Sequence, residues 1–289
     1  MKVSGFSFIR NAVKYQYPIV EAVQSILPLC DEVIVAVGKS EDNTRDLVAA
    51  IGPKVKILDT VWDENSRLAG RVLAEETDKA FQAIGPDTDW CVYIQGDEVM
   101  HEDGYDEAMN AMKKWKDHKE VDGLLFNYIH FFGSYDYIGA EGQWYRHEIR
   151  IIKNDKSIFS YRDAQGFRKG DNKKLRVKPL QAKIHHYGWV QDPRVMKAKF
   201  VVKDKIYHAK EGDENNIVVP ENFAYQLVNA LHKFKGTHPQ VMKKRVAEIG
   251  WAFEFDVSKN RYKLKDHFKN GLEELTGRRF FDYKNYKII

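Results

Sequence analysis

Long apolar runs are missing from this 289-residue chain. No stretch approaches the roughly 18 consecutive apolar residues that a membrane-spanning helix needs, and the opening MKVSGFSFIRNAVKY has no apolar h-region of the kind a secretory signal carries. A soluble, cytoplasmic protein is expected. Cysteine is almost absent as well. Cys30 and Cys91, each beside a predicted strand, are fewer than a secreted disulfide scaffold carries, and they read as buried free thiols that suggest no metal site. No internal repeat or low-complexity tract appears. Nor does one sign of charge dominate: 46 Lys and Arg face 42 Asp and Glu, a formal net charge of +4, and no nucleic-acid partner is expected. The excess is C-terminal, since residues 201–289 hold 17 Lys and Arg against 12 Asp and Glu, leaving 29 against 30 before them. A solvated helical face is the plain reading of that stretch. An anionic acceptor, or a peripheral contact with headgroups at the inner face of a membrane, is the other.

What the chain does have is apolar and aromatic content, 43% and 13%, enough for one large core or a core with a smaller appended unit, and too much for disorder. GFSFIRN reads as a strand, and helical spacing follows from Ile19 to Leu27, before Pro28. EVIVAVG is the near-continuous apolar run of a strand buried on both faces, and SEDNTRDLVAAIG a short helix capped by Asp42 or Asn43. VKILDT supplies a third strand, Ser66 to Ile84 a longer helix, and WCVYI a fourth strand. This alternation predicts an α/β fold with βαβ units and helices flanking the sheet. After residue 120 the aromatic-rich segments VDGLLFNYIHFFGSYDY, HEIRIIKN, SIFSYRDAQ and AKIHHYGWV read as strands or hairpin arms. From Asp192 onward the pattern turns helical in DPRVMKAKFVVKDKIYH, PENFAYQLVNALHKF, HPQVMKKRVAEIG and KDHFKNGLEELTG. The expected division is therefore a domain over residues 1–191 and a helical C-terminal region over residues 192–289.

The fourth strand ends on Gln95, Gly96, Asp97 and Glu98. Taken alone, carboxylates after a strand make a solvated turn. In a doubly wound sheet, however, ligands bind beyond the carboxyl ends of the strands, and an aspartate there can hold a divalent cation that bridges two phosphates.

SFIRN, EVIVAVGKSEDNT, an arginine-containing helix and DWCVYIQGDE, in that order, resemble the nucleotide-sugar-binding half of family 2 glycosyltransferases, which have the GT-A (Rossmann-like) fold. The resemblance covers about residues 3 to 190. Ser40, Asp42 and Thr44 match the Ser-x-Asp-x-Thr element after the second strand, and Asp97 matches the metal-binding second Asp of the Asp-x-Asp. His186-Tyr187-Gly188-Trp189 is similar to a late element whose histidine completes the metal site, although a tandem histidine on a strand is ordinarily one core imidazole and one exposed. The resemblance thus implies Mn²⁺ or Mg²⁺ on Asp97 and His186, and donor contacts from Phe8, Arg10, Asn11, Ser40, Asp42, Gln95 and Gly96. Two departures fall on the nucleoside side: Gln95 replaces the first Asp of the Asp-x-Asp, and Val37-Gly38 stands where the family usually has an Asp on the base.

Arg67 and Arg71, one turn apart, could fork onto the diphosphate, or lie exposed. Asp163, following EIRIIKN and SIFSY, falls where related enzymes place the catalytic base, with Glu148 and Glu98 in reserve; pairing with Arg162 or Arg168 is the structural alternative. Tyr128, Phe131, Phe132, Tyr135, Tyr137, Trp144 and Tyr145 could stack on an acceptor sugar or pack a core. The expected function is a metal-dependent, inverting glycosyltransferase of hexosyltransferase type, for example in surface glycan synthesis. It would move a sugar from a nucleotide diphosphate sugar to a glycan, lipid-linked or other hydroxyl acceptor, with the C-terminal region as an acceptor wall or oligomer contact. The rivals are a nucleotidyltransferase, which would need a Gly-rich loop that GFSFIRNAVKY lacks, and a non-catalytic nucleotide-sugar-binding module.

Overall fold

A computed structural model describes residues 1–63, 70–199, 225, 228–262 and 283–289, with the single positions 264, 267 and 269. Its first half is the predicted alternation: β1 (Val3–Ile9), α1 (Ile19–Ile26), β2 (Glu32–Gly38), α2 (Thr44–Ala49), β3 (Val55–Thr60), α3 (Arg71–Gln82) and β4 (Trp90–Tyr93). These strands run parallel in the order β3-β2-β1-β4. The run EVIVAVG lacks a polar face because helices cover both sides. Val33, Val35 and Val37 share one core with the buried face of α1, while Ile34 and Ala36 share another with Ala80 and Phe81 of α3. Asn43 holds the N-cap position of α2 without a side-chain capping bond, and Asp42 before it accepts from the Thr44 amide at 3.0 Å.

The second half is mostly antiparallel. It comprises β5 (Glu98–Met100), α4 (Tyr105–Trp115), β6 (Gly123–Phe132), β7 (Ser134–Gly139), β8 (His147–Lys153), β9 (Ile158–Tyr161), β10 (Gly166–Lys169) and β11 (Lys173–Trp189). β8 joins β4 antiparallel, and the sheet continues β8-β6-β11-β10-β9. Register shifts in β11 between Pro179 and Lys183, and between His186 and Trp189, curl the sheet at the end that carries the histidines. The result is a mixed sheet flanked by helices, as the sequence predicts.

Beyond residue 192 the described residues include short helices among turns and short strands. Residues 193–199 form α5, and α6 (Lys243–Ala247) falls inside HPQVMKKRVAEIG. The expected helix over residues 220–234 is corrected at its end: Leu231–Lys233 is a strand, β12, paired with β7. The free edge of β7 satisfies one side of this segment. On the other side the Asn260 amide accepts from the Leu231 N–H and donates to its carbonyl, both at 2.9 Å. A last strand, β13 (Tyr286–Ile288), is added parallel to β11. The helix starts at residues 66–69, most of KDHFKNGLEELTG and residues 200–224 lie outside the described residues.

Candidate functional site

Register assembles the site. β11 sets His186 opposite Glu98 of β5 on one side and opposite His130 of β6 on the other. The Tyr187 amide donates to the Asp97 carbonyl at 2.8 Å and fixes the turn before β5. Asp97 Oδ2 then lies 3.7 Å from His186 Nε2. Gly188 passes so close that a Cβ on it would come within 2.6 Å of that same oxygen and 2.8 Å of the imidazole. The glycine of HHYGW is there because no other residue leaves room for the pair. Alternation along the strand sends His185 to the opposite face, where it is buried beside His101 and His238.

The hydrogen bonds of His130 assign the proton on His186. His130 Nε2 is 2.7 Å from the Tyr145 carbonyl oxygen, which can only accept, so the His130 proton sits on Nε2. Burial pushes His130 well below the ordinary histidine range and keeps it neutral. Its Nδ1 therefore carries a lone pair, and the 3.1 Å contact between the two Nδ1 atoms is a bond donated by His186. His186, itself lowered by burial despite the opposing pull of Asp97, is left with an Nε2 lone pair facing the carboxylate. Two electron-pair donors at this separation suit a cation that touches both, and a ligating histidine is ordinarily oriented by an acceptor for its other ring N–H, a place that His130 Nδ1 takes here. A carboxylate and an imidazole fit Mn²⁺ or Mg²⁺. Among the described residues no third His, Cys, Asp or Glu joins them, so the remaining positions would go to substrate oxygens and water. The Lys199 ammonium of α5 is 3.9 Å from the same Asp97 oxygen, donates to the Gly188 carbonyl at 2.7 Å and lies 4.5 Å over the Tyr17 ring.

Glu98, next to Asp97, has a different task. It is fully buried and accepts from Arg150 Nε and Nη2 at 2.8 and 2.7 Å, from the Tyr128 hydroxyl at 3.0 Å and from the Gln95 amide at 3.1 Å. Four donors leave this carboxylate no capacity to take a proton from a substrate.

The two candidate bases differ sharply. Glu148 on β8 is buried, its Oε2 has no hydrogen-bond partner among the described residues, and burial pushes its carboxyl up to about 8. At neutral pH it holds its proton. Asp163 sits half-buried in the β9–β10 turn, between Arg162 and Ala164, both at positive φ (58° and 63°). Gln95 ties that turn to the end of β4 by donating to the Ala164 carbonyl at 2.9 Å, and Arg150 reaches the Gln165 carbonyl at 3.4 Å. The carboxylate of an aspartate could not donate this bond, which gives a physical reason for glutamine at position 95.

The residues expected to contact the donor hold two loops together. Asn11, at φ 54°, donates its amide to Ser40 Oγ at 3.1 Å and accepts from the Glu41 amide at 2.9 Å. Ser40 also donates to the Gly38 carbonyl, and Asp42 accepts from the Lys14 amide at 2.7 Å. Gly96 packs on Ile9. Phe8 and Arg10 flank Trp62, with the Arg10 guanidinium 5.5 Å from the indole. A Cβ on Gly38 would come within 2.4 Å of Trp62 Nε1, so any side chain at this position would have to displace that indole. Arg71 is exposed and paired with Glu75 at 3.0 Å, while Arg67 lies outside the described residues.

Sequence reasoning missed His130, Arg150, Lys199 and Trp62. Only His130 left a signal: a polar residue inside the apolar strand FNYIHFF, two positions after Tyr128. Of the aromatic series, Phe131 and Tyr135 belong to one buried cluster, Phe132 and Tyr137 to another, and Tyr128 to the main core. Trp144 and Tyr145 are half-exposed.

No protein-family model and no curated protein matches the chain. Solved structures do. Staphylococcus aureus TarS (residues 1–349) aligns with 74% of this chain and 68% of its own, at 14% identity and a TM-score of 0.40. A 4-diphosphocytidyl-2C-methyl-D-erythritol synthase from Anaerococcus prevotii covers 70% of this chain and 96% of its own, at 12% identity and TM-score 0.39. Glucosyl-3-phosphoglycerate synthase from Mycobacterium tuberculosis, in complex with Mn²⁺, UDP and phosphoglyceric acid, covers 45% of this chain and 43% of its own, at 18% identity and TM-score 0.30.

Proposed function

We propose that this protein is a GT-A-type, metal-dependent glycosyltransferase that moves a sugar from a nucleotide diphosphate donor to an acceptor hydroxyl with inversion. One observation carries the reading: Asp97 Oδ2 and the His186 Nε2 lone pair face each other at 3.7 Å beyond the carboxyl ends of the parallel strands, around a bare Gly188. Asp97 and His186 would hold Mn²⁺ or Mg²⁺, which when bound neutralises charge on the diphosphate. Lys199, beside the same carboxylate, adds a positive charge for the phosphates. His130 keeps His186 in its ligating tautomer, and the Glu98–Arg150 pair holds the turn that presents Asp97. Asp163 takes the proton from the acceptor hydroxyl as its oxygen bonds to the anomeric carbon, while the bond from that carbon to the diphosphate breaks and the leaving group keeps the electron pair.

The test is binding of UDP and other nucleoside diphosphates with and without Mn²⁺, followed by calorimetry. Asp97→Ala is expected to abolish the metal-dependent part and His186→Ala to weaken it, with circular dichroism unchanged. Wild-type manganese dependence in both variants would remove the assignment.

A further inference from the structure

The β9–β10 turn that carries Asp163 does not hold itself. Arg162 and Ala164 both carry a β-carbon and both stand at positive φ, a conformation that persists only where the surroundings impose it. Gln95 and Arg150 hold the turn from the β4 side. Residues 283–289 hold it from the other. β10 pairs with β11 at Arg168–Lys174 and Lys169–Lys173, and β13 takes over that edge from Leu175 to Val177, since β6 occupies the opposite edge of Val177. Asn285, just before β13, meets Gly166 at the start of β10. A Cβ on that glycine would come within 2.6 Å of Asn285 Nδ2 and 3.0 Å of Glu148 Oε2. Tyr286 shares a buried core with Ala164 and Phe167. Nearer the solvent, the Tyr283 hydroxyl accepts from Arg168 Nη2 at 3.1 Å, and the Arg162 guanidinium lies 5.8 Å from the Tyr283 ring and 5.1 Å from that of Tyr161.

Asn285 is 2% exposed, and neither atom of its amide has a hydrogen-bond partner among the described residues. Stability alone would favour an apolar residue of that size, because a buried unpartnered amide is unfavourable. We infer that residues 283–289 are a clip that sets the β9–β10 turn, with Asn285 as a positioning residue for Asp163. The Asn285 side chain lies against the backbone of Gly166 and keeps the turn from relaxing toward ordinary negative φ, while Arg162 is held between two phenol rings. A base must come within hydrogen-bond reach of the reacting hydroxyl. A small displacement of this turn therefore slows transfer and leaves nucleotide binding, which is made elsewhere, unchanged. The effect on turnover rests on the reading of Asp163 as the base; the clip itself does not.

The experiment is hydrogen exchange, read by mass spectrometry on the full chain, in Asn285→Ala and in Tyr283→Ala, where the 59% exposure of Tyr283 keeps the fold out of risk. Peptides spanning residues 160–168 are expected to exchange about ten-fold faster in each variant, while peptides of β1 and β2 keep their wild-type rates. Wild-type exchange at the turn in both variants overturns the inference, and so does faster exchange spread over the whole chain. Hydrolysis of UDP-glucose with Mn²⁺, water serving as acceptor, then reads the positioning role. Asn285→Ala is expected to lower kcat about ten-fold with KM unchanged, and to add nothing in an Asp163→Asn background, whereas a merely structural defect would lower both backgrounds alike. A loosened turn with full hydrolysis in Asn285→Ala, beside reduced hydrolysis in Asp163→Asn, overturns the positioning role. A loosened turn in a protein that does not hydrolyse the donor, or hydrolyses it equally well as Asp163→Asn, removes Asp163 as the base and leaves the clip standing.

Discussion

The proposed metal side and the proposed nucleoside side of the site are built from different materials. On the proposed metal side, strand register brings together Asp97, Glu98, His130, Arg150 and His186, buried or nearly so, and the proton on each of the two imidazoles follows from its neighbours. On the proposed nucleoside side, Asn11, Ser40 and Asp42 tie two loops to each other, and a half-exposed indole covers Gly38. Buried polar networks in a medium of low polarisability are costly to disturb, whereas loop contacts near water are not. The first side should therefore be intolerant of substitution and pH, and the second permissive.

The largest effect that would break this contrast concerns the base. Asp163→Asn keeps shape and removes the proton acceptor, so transfer is expected to fall roughly 10²-fold or more with donor affinity near wild type. Steady-state kinetics with a competent donor and acceptor check it. Near-normal turnover would place proton removal outside the β9–β10 turn.

Glu148 sharpens the contrast through pH. Its carboxyl ionises at about 8 in the fold and at an ordinary 4.5 when unfolded. Because the folded value is the higher one, the unfolded state releases its proton first. Its contribution is complete below pH 4.5 and is lost as pH rises toward 8. Glu148→Gln removes that dependence. Its stability relative to wild type should rise across this window and level off above it, reaching on the order of 5 kcal/mol if the whole shift is expressed. Denaturant melts at a series of pH values test this, and a difference that stays flat from acid to alkaline pH would contradict the burial argument.

How much of this was legible in the sequence follows the same division. The parallel strands announced themselves because burial on both faces demands runs such as EVIVAVG, and Asp97 and His186 stood in short motifs at strand ends. Three-residue strands such as Leu231–Lys233 and Tyr286–Ile288 carry no pattern of their own, since a neighbouring edge recruits them. Glu98 read as a second edge carboxylate because its partner, Arg150, is 52 residues away and meets it only across the sheet. Trp62 over Gly38 is likewise a contact between loops, and nothing in either segment alone specifies it.

The smallest effect is the most direct probe of the permissive side. With Gln95 turned to the Ala164 carbonyl and Gly38 covered by Trp62, neither position offers an anionic acceptor to a base. What remains are backbone groups, amides and the flat indole, and stacking on an aromatic face accepts any base because each presents a π-surface. Metal and phosphates should then dominate affinity. Competition titrations in Mn²⁺ are expected to put UDP, GDP, ADP and CDP within about 1 to 2 kcal/mol of one another. A preference above about 100-fold for one base, equivalent to about 2.7 kcal/mol, would mean that the nucleoside side carries a specific reader after all. Repeating the titration with Trp62→Ala would locate it: a uniform loss for all four nucleotides assigns the indole to stacking, and a loss confined to the preferred one assigns it to recognition.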